Sequence, residues 1–403
     1  MMGNNEVKEN VLKYKLIYSG IMTLVYLIGK NIPLYGIDIS AYRNTAGLSV
    51  EDLLIQSISG DLFRSSVFAL GIFPSMISAF LVQIFMVIRG LFTKTGVSPG
   101  KSRRMTVVVT LIIAIFQVVA RIPELKFDVS GEQLYIAWLI AALEMITGAV
   151  LIMWMADRNG KYGLGGRMVF MVVNILERIT LPLVTHTIRS LVIPLMAGFL
   201  MMMIMLVMEN AEKRIPVQRI SIHNIYADKN YMAIKLNPVG MMPMMFSNAV
   251  FMLPGLLVSL LLRFFPYHQG LLWWQENLSL AKPFGIFIYV VCEYLLTIGF
   301  SMLMISPKDI SENFLKSGDS IVNLHAGRDT RRYLRGVMWR ISLFSATVMG
   351  VCMSAPMIMQ LKGGIDSTLV TLPTSIMLLT GFSCNMYREI CTLWAYDSCR
   401  PLF

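Results

Sequence analysis

Apolar runs of about 18 to 25 residues recur along the whole chain, each the length a helix needs to cross roughly 30 Å of hydrocarbon. Ten spans are predicted, over 14–32, 62–90, 105–123, 133–156, 165–183, 189–208, 240–263, 284–305, 337–360 and 370–392. Helices are expected because lipid offers the backbone no hydrogen-bond partner, and the alternation of a membrane barrel is absent. The first run, Leu16 to Gly29, leads into Lys30-Asn31-Ile32-Pro33 without a small-residue cleavage site, so it reads as a retained span and not as a signal peptide.

The second and seventh spans carry the same break, Gly71-Ile72-Phe73-Pro74 and Gly240-Met241-Met242-Pro243. Proline at a first helical turn loses no hydrogen bond, so each break is expected to start a fresh helix. In a chain of ten spans these are the second members of two sets of five, the pattern of an internal pseudo-repeat with its working site between the halves. The predicted fold class is an all-α polytopic membrane protein, ten transmembrane helices in two pseudo-symmetric halves, residues 1–184 and 185–403. Ahead of Pro74, the stretch Ser57 to Ser66 is too polar for lipid and too apolar for a free loop. A short helix folded back into a channel mouth would meet that requirement.

Composition supports the membrane reading: 56% of residues are apolar, 15% are charged and the mean hydropathy is +0.63. A soluble enzyme, a disordered chain and a disulfide-knit secreted domain are excluded. With the N-terminus inside, about 25 of the 35 lysines and arginines fall on the cytoplasmic side, the excess that orients membrane proteins. Both termini are therefore expected in the cytoplasm of a multi-pass cell-membrane protein. The net charge of +11 follows largely from topology, with no need for nucleic acid. Two inner loops are large, 209–239 and 306–336. The first holds Arg219-Ile220-Ser221-Ile222 and Ala233-Ile234-Lys235-Leu236 around Asp228-Lys229-Asn230, which reads as a hairpin. The second ends in Arg328, Arg331, Arg332 and Arg335, either an anchor on anionic lipid or a docking surface for a partner.

Candidate chemistry is sparse. No metalloprotease helix, nucleophile elbow or metal cluster is found, so no catalytic residue, metal or cofactor is assigned. Gly96-Val97-Ser98-Pro99-Gly100-Lys101-Ser102 misses the phosphate-loop spacing by one residue and joins two helices. Cys292, Cys352, Cys384, Cys391 and Cys399 have no pairable spacing and read as free packing thiols. Only Glu144 and Glu293 sit near span centres, as packing contacts or as a proton relay. A secondary transporter of a small solute is the alternative, but few buried charges suit a conduit for a large, chemically mixed substrate such as an unfolded polypeptide.

Specific motifs narrow the choice. Val67 to Pro74 followed by Ile77-Ser78-Ala79 and Gln83, then Arg214-Ile215-Pro216-Val217-Gln218 and Leu236-Asn237-Pro238-Val239-Gly240-Met241-Met242-Pro243, closely resemble the SecY preprotein translocase channel family. Ile32 to Asp38 and Ser306 to Asn313 add to the likeness, which covers nearly the full chain in order. The resemblance implies a clamshell around an hourglass pore. Its apolar ring would be Met76, Phe80, Met168, Val172, Met245 and Leu378. Its plug would run from about 57 to 70, including Ser59, Gly60, Asp61, Leu62, Phe63 and Arg64. Its lateral gate would carry Gln117 and Asn248, with Ile77 where a further polar member is expected.

Motor docking would fall to Arg219, Lys229, His325, Arg328, Arg331, Arg332 and Arg335. Here His325 stands where the family usually has an arginine, and 32 methionines soften the interior. These departures resemble the accessory SecY branch of Gram-positive bacteria, which implies export of serine-rich glycoprotein adhesins. The implied partners are an accessory SecA ATPase, small SecE/SecG-like membrane subunits, accessory secretion proteins, the preprotein substrate and the lipid bilayer.

Overall fold

The computed structural model describes residues 11–37, 66–92, 98–129, 131–219, 230–280, 282–361 and 366–398. The helices are α1 (Val11–Lys30), α2 (Phe73–Phe92), α3 (Pro99–Arg121), α4 (Glu132–Tyr162), α5 (Met168–Thr185), α6 (Ile188–Asn210), α7 (Met242–Phe264), α8 (Gln269–Asn277), α9 (Pro283–Met304), α10 (Pro307–Ser317), α11 (Arg328–Leu361) and α12 (Ser367–Ser398). Among the described residues nine helices are long and apolar enough to cross a membrane. The remaining predicted span corresponds to α2, whose shorter described apolar run is Phe73–Met86. Of the phosphate-loop-like segment, Pro99 to Ser102 form the first turn of α3, and Gly96 and Val97 lie outside the described residues.

The second span starts later than its hydropathy suggests. Residues Ser66 to Ile72 form turns, and the helix begins only at Phe73. Gly71 adopts φ +55°, a left-handed conformation that ends the preceding turn, and Pro74 then occupies the first turn of α2. The turn segment is wedged against α1 and α4. Val67 N–H donates to the Ile32 carbonyl at 3.0 Å, and a Cβ on Gly148 of α4 would lie 2.0 Å from the Val67 carbonyl oxygen. α7 repeats the device: Gly240 has φ +67°, the helix starts at Met242, and Pro243 follows.

A small sheet is the exception to the helical architecture. Strands β1 (Glu212–Arg219), β2 (Tyr231–Lys235) and β3 (Asp319–Ile321) lie in the order β2-β1-β3, all antiparallel. The first hairpin strand thus precedes the expected Arg219–Ile222 segment, and residues 220–229 lie outside those described. Ile215, 1% exposed, sets the inward face that anchors the strand earlier. Pro216 sits in this central strand because it marks a changeover: residues 212–216 pair with β2 and 217–219 with β3. The third strand, from the second large loop, joins both loops into one body. Ile215, Ile234 and Ile321 of the sheet pack on Leu334, Val337 and Met338 of α11.

Buried polar groups tie the helices together. Near the start of the chain, Ser19 Oγ donates to Asn159 Oδ1 at 2.8 Å, and Asn159 Nδ2 donates to the carbonyls of Leu164 (2.8 Å) and Gly166 (2.9 Å). Leu164 N–H returns to Ser19 Oγ at 2.7 Å, so the α4–α5 connection is pinned to α1. Glu209, 1% exposed at the end of α6, pairs with Arg388 of α12 at 3.1 Å. Asn237 Nδ2 reaches the Gly240 carbonyl at 3.0 Å and Glu209 Oε1 at 3.3 Å, while its Oδ1 accepts from Ser345 of α11 at 3.3 Å. That network explains the Leu236-Asn237-Pro238-Val239-Gly240 motif: Asn237 holds the left-handed glycine that launches α7.

Candidate functional site: an apolar waist where the helices converge

The two broken lead-ins place methionines in equivalent positions. Met76 and Met245 each lie five residues after the left-handed glycine, and each is the fourth residue of its helix. Their N–H groups make equivalent first-turn hydrogen bonds, Met76 to the Ile72 carbonyl (3.1 Å) and Met245 to the Met241 carbonyl (3.2 Å). The largest apolar cluster contains Met76 and Leu378, 2% and 3% exposed, with Met168, Val172 and Met245 half-buried against it. Five of the six expected ring residues therefore share one apolar body drawn from α2, α5, α7 and α12. Methionine dominates this body, with Met171, Met201, Met205, Met241, Met353 and Met377 also buried in it. Flexible thioether chains fill irregular space and reshape at low cost.

Phe80, the sixth, belongs to a neighbouring cluster. Its ring stacks on Phe246 of α7 at 5.0 Å and meets Phe300 of α9 at 5.9 Å, while Phe246 and Phe300 lie 5.3 Å apart. The i, i+4 spacing from Met76 puts Phe80 on the same helix face but one turn further along, where α2 meets α7. Sequence spacing alone could not show this, because ring closure depends on which helix stands opposite.

Gln117 on α3 and Asn248 on α7 are both buried, and α3 touches α7, yet among the described residues no hydrogen bond joins them. Asn248 Oδ1 instead accepts from the Tyr289 hydroxyl of α9 at 2.8 Å, and its Nδ2 has no partner among the described residues. Ile77 is fully buried, and the polar contact of α2 is one residue on: Ser78 Oγ lies 2.5 Å from Thr110 Oγ1 of α3. Tyr289 was not singled out in the sequence, and Ser78 entered only as part of a motif, with no role at the gate. A tyrosine and a serine inside apolar runs were the available signals.

Ser59, Gly60, Asp61, Leu62, Phe63 and Arg64 lie outside the described residues, as does Lys229. Arg219 closes β1. His325 sits in the turn between β3 and α11, where Thr330 Oγ1 donates to its carbonyl at 2.9 Å and Ser311 Oγ fastens the Gly327 carbonyl at 2.6 Å. Arg328, Arg331, Arg332 and Arg335 occupy the first turns of α11, so the basic cluster is helical.

Glu144 accepts from the Tyr35 N–H at 3.0 Å. Glu293 is fully buried on α9 with both carboxylate oxygens unpartnered among the described residues, as are the guanidinium nitrogens of Arg178 on α5. Lys30, 5% exposed, pairs with Glu177 and donates to Asn174 at 3.4 Å, joining α1 to α5. No group of three histidine, cysteine or acidic side chains among the described residues could hold a metal ion.

These features fit a known group. The SecY family model matches residues 66–387. An accessory Sec system protein translocase subunit SecY2 from Streptococcus agalactiae serotype III is 30% identical over 389 residues, covering 95% of this chain and 94% of the relative. The subunit of that name from Leuconostoc gelidum is 24% identical over 423 residues and covers all of both chains. Among solved structures, a protein conducting channel aligns with a TM-score of 0.71 at 16% identity, over 97% of this chain and 94% of that one. Sec61 from a canine ribosome-channel complex aligns with a TM-score of 0.63 at 15% identity, over the same shares. The chain is a multi-pass membrane protein that belongs to the SecY family.

Proposed function

We propose that this chain is the pore subunit of an accessory protein-export translocase, passing unfolded preproteins across the cell membrane with both termini in the cytoplasm. The observation that carries the reading is the convergence of Met76 and Met245, through two matching glycine-proline lead-ins, on one methionine-rich apolar cluster with Leu378, Met168 and Val172. Residues 1–184 and 185–403 form the two halves that close on this waist. An apolar collar excludes ions, because a bare ion finds no polar ligand there and water empties from so narrow a passage. A polypeptide carries its own apolar and hydrogen-bonding surface and can displace the soft side chains.

α2 and α3 against α7 form the lateral exit, with Gln117, Asn248 and the phenylalanine contact at Phe80 lining it. The segment up to Leu70 supplies the plug. Arg219 and Lys229 of the first large loop, the His325 turn and the head of α11 carrying Arg328, Arg331, Arg332 and Arg335 receive an accessory SecA motor. Small SecE/SecG-like subunits brace the clamshell, and serine-rich glycoprotein adhesins are the cargo that the sequence resemblance to the accessory branch implies. The test is translocation in proteoliposomes containing this chain, its motor and small subunits. Adhesin fragments should become protease-protected only with ATP. Protection without this chain, or none with the complete set, would overturn the proposal.

A further inference from the structure

The inward face of α5 carries a charge that no described group answers. Met171, Asn174, Ile175, Arg178 and Pro182 are buried along it, and Met171 and Ile175 belong to the same apolar cluster as the waist. Arg178 is 5% exposed, yet its Nε, Nη1 and Nη2 all lack a hydrogen-bond partner among the described residues. One helical turn earlier, Asn174, 2% exposed, leaves its Nδ2 unpartnered as well. Side chains at i and i+4 stand one above the other on a helix, with Cβ atoms about 6 Å apart, so the amide and the guanidinium can share one ligand.

The direction of that amide is fixed from its other side. Asn174 Oδ1 accepts from the Tyr26 hydroxyl at 3.0 Å and from Lys30 Nζ at 3.4 Å. An ammonium only donates, so the oxygen faces α1 and the amide nitrogen is turned away from it. The carboxylate next to Arg178 in the chain, Glu177, is taken by Lys30. Adjacent helical residues point about 100° apart, which keeps Glu177 off the face that carries Arg178. Lys30, Glu177 and Arg178 together hold one positive charge in excess, and a buried guanidinium left without counter-charge or acceptor is strongly unfavourable. We propose that Asn174 and Arg178 bind a small monovalent inorganic anion, such as chloride, in the wall of the protein beside the waist. Every atom they offer is a donor, which excludes a cation, and a water molecule would leave the charge unanswered. The near-complete burial of both side chains excludes a bulky ligand. Helix α6 runs from the α5–α6 connection back to β1, so Arg178, in the second half of α5, lies on the side of Met168 and Val172 away from the sheet. The inference goes beyond the export reading and does not depend on it, since the ion is held in the wall and does not pass the collar.

The test is equilibrium binding of radioactive chloride to the purified full chain in detergent, with gluconate replacing chloride at constant ionic strength, alongside thermal unfolding in the two salts. The wild-type chain should bind one chloride saturably and unfold at a higher temperature in chloride than in gluconate. R178M should weaken chloride binding at least about tenfold, the scale expected for loss of one charged hydrogen-bond partner. N174D separates the site from a general salt effect. One carboxylate oxygen keeps Tyr26 and Lys30, and the other stands where the amide nitrogen was, so Arg178 gains a counter-charge built into the chain. This variant should fold, lose chloride binding and unfold at the same temperature in both salts. Absence of saturable chloride in the wild-type chain would overturn the proposal, as would wild-type chloride affinity in either R178M or N174D. An N174D chain that still unfolds at a higher temperature in chloride would overturn it too.

Discussion

The contact of Phe80 with Phe246 and Phe300 predicts a measurable bias on the lateral exit. Phe80 is 5% exposed on α2, and its two ring contacts, at 5.0 Å and 5.9 Å, cross to α7 and α9. Aromatic pairs of this kind contribute about 0.5 to 1.5 kcal/mol each beyond area burial. Separating α2 from α7 therefore loses about 1 to 3 kcal/mol of ring contact, while Phe246–Phe300 stays intact on one side. Leucine at 80 keeps apolar volume and removes both ring contacts. With about 2 kcal/mol withdrawn from the closed state, the open fraction should rise about 30-fold. Planar-bilayer recording of the reconstituted channel reads that fraction as open probability without substrate. F246L should act similarly, and F80L/F246L should fall short of the sum by about 1 kcal/mol, because both variants remove the same contact. Strict additivity, or an open probability in F80L equal to wild type, would refute the assignment of this contact to the gate.

Three further outcomes follow from buried contacts. R388A strands the Glu209 carboxylate, 1% exposed, and should cost about 3 kcal/mol in chemical or thermal denaturation, whereas E209Q/R388M should recover much of it. G71A and G240A force a Cβ into left-handed backbone at φ +55° and +67°, and each should lower stability by about 1 kcal/mol in the same assay. Alanine at Gly148 would drive its Cβ to 2.0 Å from the Val67 carbonyl, so it should displace the Ser66–Ile72 turn and make a cysteine placed at Ser66, 2% exposed, reactive to a membrane-impermeant thiol reagent. An unreactive Cys at that position would show that the turn is held by something other than this close approach.

Hydrophobic runs located the spans well because membrane helices must satisfy their backbones internally, so length and polarity alone mark them. Their limits were less legible. Residues 62–72 are apolar enough to prolong the second span, but Gly71 and Pro74 decide where α2 begins. The equivalence of the two glycine-proline breaks was visible in sequence, and their identical placement of Met76 and Met245 is its structural consequence. Long-range partners were not visible. β3 comes from a loop about 100 residues after β1, and nothing local in Asp319-Ser320-Ile321 announces that pairing. Likewise Glu209 and Arg388 lie 179 positions apart; a lone acid at the end of a strongly apolar span was the sole hint that a cation had to reach it. Phe80 shows the opposite limit, since a family pattern proposes the ring while the packed rings place it against Phe246 and Phe300.

The most direct test of the pore is photo-crosslinking from probes at Met76 and Met245, with a third at Trp394, 66% exposed on α12, as control. The membranes would carry a stalled adhesin export intermediate, its motor and ATP. The account predicts substrate crosslinks from both methionine positions, dependent on motor and ATP, and none from Trp394. Export that proceeds while Met76 and Met245 capture only lipid or neighbouring helices would contradict it, and the route through the protein would have to lie elsewhere.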